Sequence, residues 1–313
     1  MRKLGIFLAM VSVLVSSLLI IGILTNIINP PNQFLFRDDT PESETSAVEN
    51  YKNNFLKTEN IPGDSPEPAR SDREQDIKDF LETEIMPIDL VWDMLEQVNQ
   101  DRALNDLRYL TGEEPICLDA ACYTIKDRHT GSEGLDWAQD YLYENLVEQG
   151  YTVEIYDWSS SGHTDENLIA WKQGVIKPTE EVYIVSHLDG ISSSETYFPS
   201  ADDNASSVVN GLELSRILSK YEFERTLVLF FSTGEEQGTL GVKAYLDQLT
   251  SEELEKIKFV VNRDMTGYDG NDDGVMELFH GDHPPSITLT QMIGEIIAAY
   301  QLDLVPKIVS GCP

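Results

Sequence analysis

Residues 182–190 read VYIVSHLDG, and residues 226–238 read TLVLFFSTGEEQG. Each stretch begins with an apolar run of strand length, which is typical of a buried central strand. Polar residues and glycine follow each apolar run at once. In open α/β sheets, functional groups collect at the carboxyl ends of the strands. The two stretches therefore predict an α/β sheet with a functional site at one edge.

Helix and strand patterns alternate on both sides of these two runs. The predicted helices cover residues 135–146, 206–218 and 287–300, and the further predicted strands cover residues 151–158, 167–171, 258–261 and 275–279. Gly150 is placed to end the first of these helices. Such alternation predicts an α/β three-layer sandwich, with a mixed, mostly parallel central sheet flanked by helices.

Four short segments carry the residues that could do chemistry. They are SHLDG at 186–190, ADDNAS at 201–206, GEEQG at 234–238 and NRDM at 262–265. Three of them follow apolar strands, and the second opens a helix. Buried strand ends rarely aim several carboxylates and an imidazole at one place without a cation to hold them. Imidazole and carboxylate donors together suit zinc, often as two ions that share a carboxylate.

In this order, the four segments resemble peptidase family M28, the co-catalytic zinc aminopeptidases. The segment Arg128-His129-Thr130-Gly131-Ser132 is also similar to the family's entry segment. The resemblance covers about residue 128 to the end of the sequence. The metal ligands that it implies are His187, Asp203, Glu236 and Asp264.

The resemblance also implies a role for each residue of the site. His187 would bind the first zinc, Asp203 would bridge two ions, and Asp264 would bind the other ion. Asp189 would hydrogen-bond and orient the imidazole of His187, because such partners fix the ring of a metal ligand. Glu235, beside a ligand but not bound itself, would act as general base.

One ligand of the family pattern is missing from the sequence. The family's second zinc takes a His from a late Ser-Asp-His segment, whereas this sequence stops at Ser310-Gly311-Cys312-Pro313. We therefore expect a member truncated at its C-terminus, with the second zinc site incomplete. His280 and His283 could substitute for the absent His, but their place after a strand favours loop residues.

The resemblance implies a zinc-dependent exopeptidase that removes N-terminal residues from peptides. It also admits carboxypeptidases and the single-zinc glutaminyl cyclases. A non-catalytic, membrane-anchored ectodomain of the same fold, acting as a receptor or an assembly subunit, is the competing class. Glu235 favours the enzyme, because a protein that only binds has no need of a general base.

The N-terminal sequence predicts that the protein is exported from the cytosol. Arg2 and Lys3 precede an uncharged stretch, Gly5–Ile28, whose 24 residues would span about 36 Å as a helix, enough to cross a bilayer. An uncleaved transmembrane signal anchor would leave the remaining chain extracytoplasmic. A cleaved signal peptide with a secreted product is the alternative.

Composition changes along the chain predict its domain organisation. We expect the anchor at 1–31, an acidic, proline-containing disordered linker at 32–73, a helical lead-in at 74–115 and the peptidase domain at 116–313. Apolar residues at helical spacing support the lead-in; they are Ile77, Phe80, Leu81, Ile85, Val91, Met94, Leu95 and Val98.

The net charge of −33, from 55 Asp and Glu against 22 Lys and Arg, excludes whole classes of partner. Nucleic acid and anionic lipid surfaces would both be repelled. We therefore expect peptides as partners, and a membrane only through the N-terminal helix.

Two smaller features leave alternatives open. Asp269, Asn271 and Asp273 fit the first half of a calcium loop, although His280 stands where its twelfth-position glutamate belongs. A polar turn before a strand is the other interpretation. Cys117 and Cys122 could form a disulfide in an oxidising compartment or stay a free buried pair.

Overall fold

The computed structural model describes residues 27–28, 89–191, 197–271 and 273–311. By internal contacts they fall into two compact units, residues 27–274 and residues 275–311 within those ranges. The helices are α1 Asp89–Leu95, α2 Gln100–Leu110, α3 Glu133–Glu148, α4 Ser207–Leu218, α5 Leu240–Gln248, α6 Ser251–Lys256 and α7 Pro284–Ala299. The strands are β1 Ile27–Ile28, β2 Ile116–Leu118, β3 Ala121–Tyr123, β4 Thr152–Ser160, β5 His163–Lys172, β6 Lys177–His187, β7 Glu222–Phe223, β8 Arg225–Ser232, β9 Ile257–Asn262, β10 Val275–His280 and β11 Val305–Ser310.

The first unit is built around a five-stranded sheet in the order β4-β5-β8-β6-β9. β6 runs parallel to both β8 and β9, whereas β4 with β5 and β5 with β8 are antiparallel. The expectation of a mixed sheet is confirmed: two of the four strand pairs are parallel and two antiparallel, and β5 is the strand that runs opposite to the other four. A turn of only two residues, Ser161 and Gly162 with φ of 52° and 84°, joins β4 to β5. So short a turn can join antiparallel strands only.

Helices cover both faces of this sheet. Side chains of the central strands alternate between the two faces, so each face carries its own set of apolar residues. One face carries Leu168, Ala170, Ile184, Leu227, Leu229 and Phe231, which pack with α2, α3 and α4 in the main core. The opposite face carries Ile169, Tyr183, Val228 and Phe230, which pack with Val242 and Tyr245 of α5. Each central strand is thus buried on both sides, as its unbroken apolar sequence predicts.

Local signals fix the ends of α3. Ser132 caps its first turn by accepting a hydrogen bond from the backbone N–H of Leu135 at 3.2 Å. Gly150 follows its last turn with φ of 87°, a conformation that favours glycine. The predicted helix that ends at Gly150 is confirmed.

The described part of the lead-in is helical and belongs to the first unit. In α1, Val91 and Met94 are fully buried, and in α2 Leu110 is fully buried. Met94 and Leu110 belong to the main core, together with residues of α3 and α4. Ile77, Phe80, Leu81 and Ile85 lie outside the described residues.

Strands β2 and β3 form an antiparallel hairpin closed by a disulfide. Cys117 and Cys122 lie directly opposite each other in its register and are bonded. The sequence left this pairing open, and the structure contains it. Tyr123, in the same hairpin, stacks on Trp137 of α3 with ring centroids 5.5 Å apart.

The expected membrane segment falls almost wholly outside the described residues, as does the expected linker at 32–73. The last two residues of the expected membrane segment form β1, which pairs antiparallel with β7. Among the described helices, we find none that combines the length and apolar character needed to cross a bilayer.

The second unit consists of β10, α7 and β11. The two strands run parallel, with Val275 opposite Val305 and His280 opposite Ser310. α7 connects them, as the crossover between parallel strands requires. Pro284 begins the helix, where the missing N–H of proline is not needed.

Candidate metal centre

Three parallel strands end together at one edge of the sheet. His187, the last residue of β6, lies opposite Ser232, the last residue of β8. On the other side of β6, Val185 lies opposite Asn262, the last residue of β9. The chain segments that follow these strands therefore leave the sheet side by side.

A fourth segment, residues 201–206, is joined to the end of β9. Asn204 donates from Nδ2 to the backbone carbonyl of Arg263 at 3.1 Å, and its Oδ1 accepts from the backbone N–H of Met265 at 3.2 Å. Asp202 accepts from the backbone N–H of Gly267 at 2.8 Å. These bonds fix the position of Asp203 relative to Asp264.

Three of the four predicted ligands meet here. Nε2 of His187 lies 3.1 Å from Oδ1 of Asp203 and 3.5 Å from Oδ1 of Asp264. The three ligand atoms all lie within 4.8 Å of one another. One cation could therefore touch all three. We expected Asp264 at a different ion from His187, but its carboxylate lies beside the imidazole.

Glu236 does not belong to this group of three. Its Oε1 accepts from the backbone N–H of Ile191 at 3.0 Å. Glu236 follows Glu235 in the turn after β8, which begins at Gly234 with φ of 70°. A Cβ at Gly234 would lie 2.6 Å from the ring of Trp158, so glycine also leaves room for that ring.

The group of His187, Asp203 and Asp264 has more carboxylates than cationic side chains. Burial lowers the pKa of His187, but hydrogen bonds to Asp189, Asp203 and Asp264 raise it, and the net result is a pKa of about 12. The hydrogen bond from His187 in turn lowers the pKa of Asp203. Without a metal, a protonated imidazole is the group that balances the carboxylates. The donor set of one imidazole and two carboxylates is one that zinc accepts.

Asp189 acts through its backbone as well as its carboxylate. Nδ1 of His187 lies 3.0 Å from the Asp189 backbone carbonyl and 3.6 Å from its carboxylate. The carboxylate, fully buried, accepts from the backbone N–H groups of Glu235 at 3.2 Å and Glu236 at 3.1 Å. Asp189 therefore holds the Glu235–Glu236 turn against the His187 loop, a contact that the sequence did not predict.

Glu235 lies close enough to the cluster to be influenced by its charges. Burial raises the pKa of Glu235, the positive charge of His187 lowers it, and Asp189, Asp264 and Asp203 raise it, with a net increase. A carboxyl group with a raised pKa is suited to accept and return a proton near neutral pH.

Sequence reasoning gave no role to two further polar residues of this edge. Thr130 donates a short hydrogen bond to Oε1 of Gln237, which links the 128–132 segment to the turn after β8. Arg263 is buried beneath α4 and donates to Oγ of Ser186 at 3.0 Å. A Cβ at Gly211 would lie 2.9 Å from its Nη2, so glycine makes room for the guanidinium. No local periodicity signals either contact.

Two other candidate sites lie elsewhere in the chain. His280 ends β10 and His283 directly precedes α7, both in the second unit.

In the 269–274 turn, Asp269 accepts from the backbone N–H groups of Asp273 at 3.2 Å and Gly274 at 3.0 Å. Asn271 donates to Asp273 at 2.6 Å. These contacts form a polar turn, and calcium binding there stays a prediction.

The amino-acid sequence matches a family of metallopeptidases at these positions. Residues 167–302 match the model of peptidase family M28, a span that includes every predicted metal ligand.

Curated relatives show the same similarity. Leupeptin-inactivating enzyme 1 of Streptomyces exfoliatus is 33% identical over 144 residues, which cover 45% of this chain and 32% of that protein. Aminopeptidase YwaD of Bacillus subtilis is 32% identical over 108 residues, which cover 34% of this chain and 23% of that protein. The chain thus aligns with about a quarter to a third of the length of these relatives.

Solved structures share the fold. LapA aminopeptidase of Legionella pneumophila superposes with a TM-score of 0.53 at 18% identity, covering 83% of this chain and 62% of that one. Glutaminyl cyclase of Macrostomum lignano superposes with a TM-score of 0.52 at 16% identity, covering 81% of this chain and 78% of that one. The fold is therefore common to both kinds of enzyme.

Proposed function

We propose that this protein is a zinc-dependent exopeptidase that removes N-terminal residues from peptides. The observation that carries the proposal is the meeting of His187, Asp203 and Asp264 within 4.8 Å, with Glu235 in the adjoining turn. The match of residues 167–302 to the family M28 model and the similarity to a protein named as an aminopeptidase support it.

His187, Asp203 and Asp264 would hold one zinc ion. Asp203, with Glu236, would contribute to a second ion, as the family pattern implies. Zinc in such a site polarises the scissile carbonyl and lowers the pKa of water. His187 would present Nε2 to the ion, because Nδ1 is engaged by the Asp189 carbonyl.

Glu235 performs the proton transfers of the proposed reaction. Its carboxylate takes a proton from the attacking water and returns it to the departing amine. Asp189 keeps Glu235 in place, because its carboxylate accepts the backbone N–H of that residue. The chain thus supplies both the base and the contact that orients it.

We also propose that the protein works outside the cytosol, tethered by Gly5–Ile28 or secreted after its cleavage. The positive residues before this apolar stretch support export. The Cys117–Cys122 disulfide supports it too, since disulfides persist in oxidising compartments.

The test is hydrolysis of a panel of aminoacyl-p-nitroanilides by the zinc-loaded protein, produced with whatever its gene encodes after Pro313, with and without a chelator. We expect chelator-sensitive cleavage, and we expect Glu235→Gln to lower kcat by about 10²–10⁴ while zinc stays bound. Glu144→Gln, an exposed change on α3, is the matched control and should behave as the unchanged protein.

Three outcomes would contradict the proposal. Cyclisation of an N-terminal glutaminyl peptide without any peptide hydrolysis would assign cyclase chemistry instead. A zinc-loaded, folded protein without either activity would favour the non-catalytic ectodomain. Loss of zinc in Glu235→Gln would show that Glu235 is a ligand rather than the base.

A further inference from the structure

Arg128 is the largest side chain that is fully buried in the described residues. Its guanidinium donates to backbone carbonyls at four places. Nε donates to Leu188 at 2.9 Å, and Nη2 donates to Ser200 at 2.9 Å. Nη1 donates to Pro199 at 3.0 Å and makes a short bond to Leu110. A buried cation is tolerated when its donors are satisfied in this way.

The four carbonyls belong to three separate parts of the chain. Leu188 stands between His187 and Asp189, in the loop that carries a candidate ligand and its partner. Pro199 and Ser200 directly precede the 201–206 segment, which carries Asp203. The remaining carbonyl is that of the last residue of α2. One planar group therefore bonds to both of the loops that supply His187 and Asp203.

The backbone of Arg128 strengthens this arrangement. Its carbonyl accepts from the N–H of Gly190 at 2.9 Å, so the 188–190 loop is bound by both the side chain and the main chain of one residue. The two loops also touch directly. A Cβ at Gly190 would lie 2.1 Å from Oγ of Ser200, a distance that no side chain can occupy.

Arg128 also places a positive charge beneath an acidic site. Burial lowers the pKa of Arg128 to about 10, with Asp189, Asp203 and Asp127 opposing the decrease, so the guanidinium is charged at neutral pH. The same charge helps to lower the pKa of Asp203. Charge and geometry are thus two separate ways in which Arg128 could act.

We propose that Arg128 is a positioning residue of the metal centre, and that its hydrogen bonds to the Leu188, Pro199 and Ser200 carbonyls set the distance between His187 and Asp203. It does this without touching the ion or the substrate. The inference rests on the proposed function only in taking zinc as the ion.

Lysine and methionine separate geometry from charge. A lysine keeps the positive charge, but its single ammonium group has three donors on a flexible stem and cannot reproduce the planar fork. Methionine is of similar length and removes the charge as well. If hydrogen-bond geometry is what matters, both substitutions weaken zinc binding.

The experiment compares the full chain with Arg128→Lys, Arg128→Met and the control Arg216→Lys. Arg216 is a largely buried arginine that pairs with Glu213 and Asp106, residues of α4 and α2 outside the metal centre. Zinc affinity is measured by chelator competition, and Co²⁺ absorption reports the ligand geometry. Thermal unfolding of each metal-free variant selects a temperature at which all are folded.

We expect both Arg128 variants to bind zinc about 10-fold or more weakly and to change the Co²⁺ spectrum, as loss of groups that orient metal ligands does. Arg216→Lys should unfold at a lower temperature yet bind zinc and Co²⁺ as the unchanged chain does. Unchanged zinc affinity in Arg128→Lys would overturn the proposal. If zinc binding were then weaker in Arg128→Met alone, the effect of Arg128 would be due to its charge.

Gly190→Ala tests the same spacing without altering Arg128. Its Cβ must push the 188–190 loop and Ser200 apart, so we expect weaker zinc binding here too. Unchanged affinity in this variant would contradict the proposal even if the Arg128 variants did not fold. Zinc binding by the unchanged chain without peptide hydrolysis would refute the proposed function alone, because the Arg128 comparison uses binding.

Discussion

Two groups of carboxylates in the first unit differ in how their charge is balanced. The ion network between α2, α3 and α4 consists of Asp106, Glu213, Arg102, Arg216 and Tyr141. The carboxylate of Glu213, fully buried, bonds to Nε of Arg102 at 2.8 Å and forms a short ion pair with Arg216. Asp106 bonds to Arg216 at 3.1 Å and to the hydroxyl of Tyr141 at 2.7 Å.

At the metal centre, by contrast, Asp203 and Asp264 share one imidazole. The ion network contains as many arginines as carboxylates, whereas the metal centre has more carboxylates than cations among the described residues. A group of carboxylates that the chain itself neutralises contributes to the fold. A group that lacks cations is suited to receive one from solution.

Asp264→Asn should give the largest effect on zinc binding and sharpens this comparison. We expect zinc affinity to fall by about 100-fold or more, since one of few ligands is lost. The metal-free protein should change little, by less than about 1 kcal/mol, because His187 keeps its contact with Asp203. Chelator competition measures the first quantity, and denaturant unfolding with a chelator present measures the second. A large loss of metal-free stability would mean that Asp264 is structural.

Arg216→Met should show the reverse pattern. It leaves Asp106 and the buried Glu213 with one cationic partner fewer, which costs about 3 kcal/mol of unfolding free energy. Zinc affinity should not change, because the ion network does not supply a predicted ligand. Urea unfolding and zinc titration check the two expectations. A loss below about 1 kcal/mol would show that the ion network adds little to stability.

Glu166→Gln should give the smallest effect and tests a third arrangement. Glu166 of β5 lies directly opposite Asp157 of β4, so two like charges face each other. Burial and the Asp157 carboxylate raise the pKa of Glu166 in the folded protein. The folded state therefore holds this proton more tightly than the unfolded state, and ionisation costs stability as the pH rises through the raised pKa.

Removing that ionisation with glutamine should stabilise the protein by about 0.5 kcal/mol or less at pH 7. The gain should disappear below about pH 4, where the glutamate is protonated in both states. Thermal unfolding of the two proteins between about pH 3 and about pH 7.5 measures this. A gain that is independent of pH would assign the effect to packing instead.

Much of the fold follows from local sequence. The apolar runs at 182–186 and 226–232 are central strands, and the helix that ends at Gly150 has its cap and its terminator in the sequence. These features depend on residues close together in the chain. The antiparallel half of the sheet also has a local signal, the two-residue turn at Ser161 and Gly162, whose consequence for strand direction our expectation did not include.

The contacts that shape the site have no such signal. The Asp189 carboxylate reaches backbone N–H groups 46 and 47 residues away, and Arg128 reaches a carbonyl 72 residues away. The acceptor or donor at the far end is a backbone group, so residue type does not reveal it. Sequence could therefore nominate His187, Asp203, Glu235, Glu236 and Asp264, but it could not show which of them lie against one another.

Because residues of α1 and α2 are buried in the main core, cutting the backbone before these two helices and cutting it after them would have different consequences. Severing the backbone before Asp89 would keep the Arg102–Glu213 pair and the Leu110–Arg128 bond within one polypeptide and would place β1, which pairs with β7, on the other. Severing it between Thr111 and Pro115 would break the covalent link to both helices. Only the second cut would place Arg102 and Leu110 on a different polypeptide from Glu213 and Arg128, the residues that they contact.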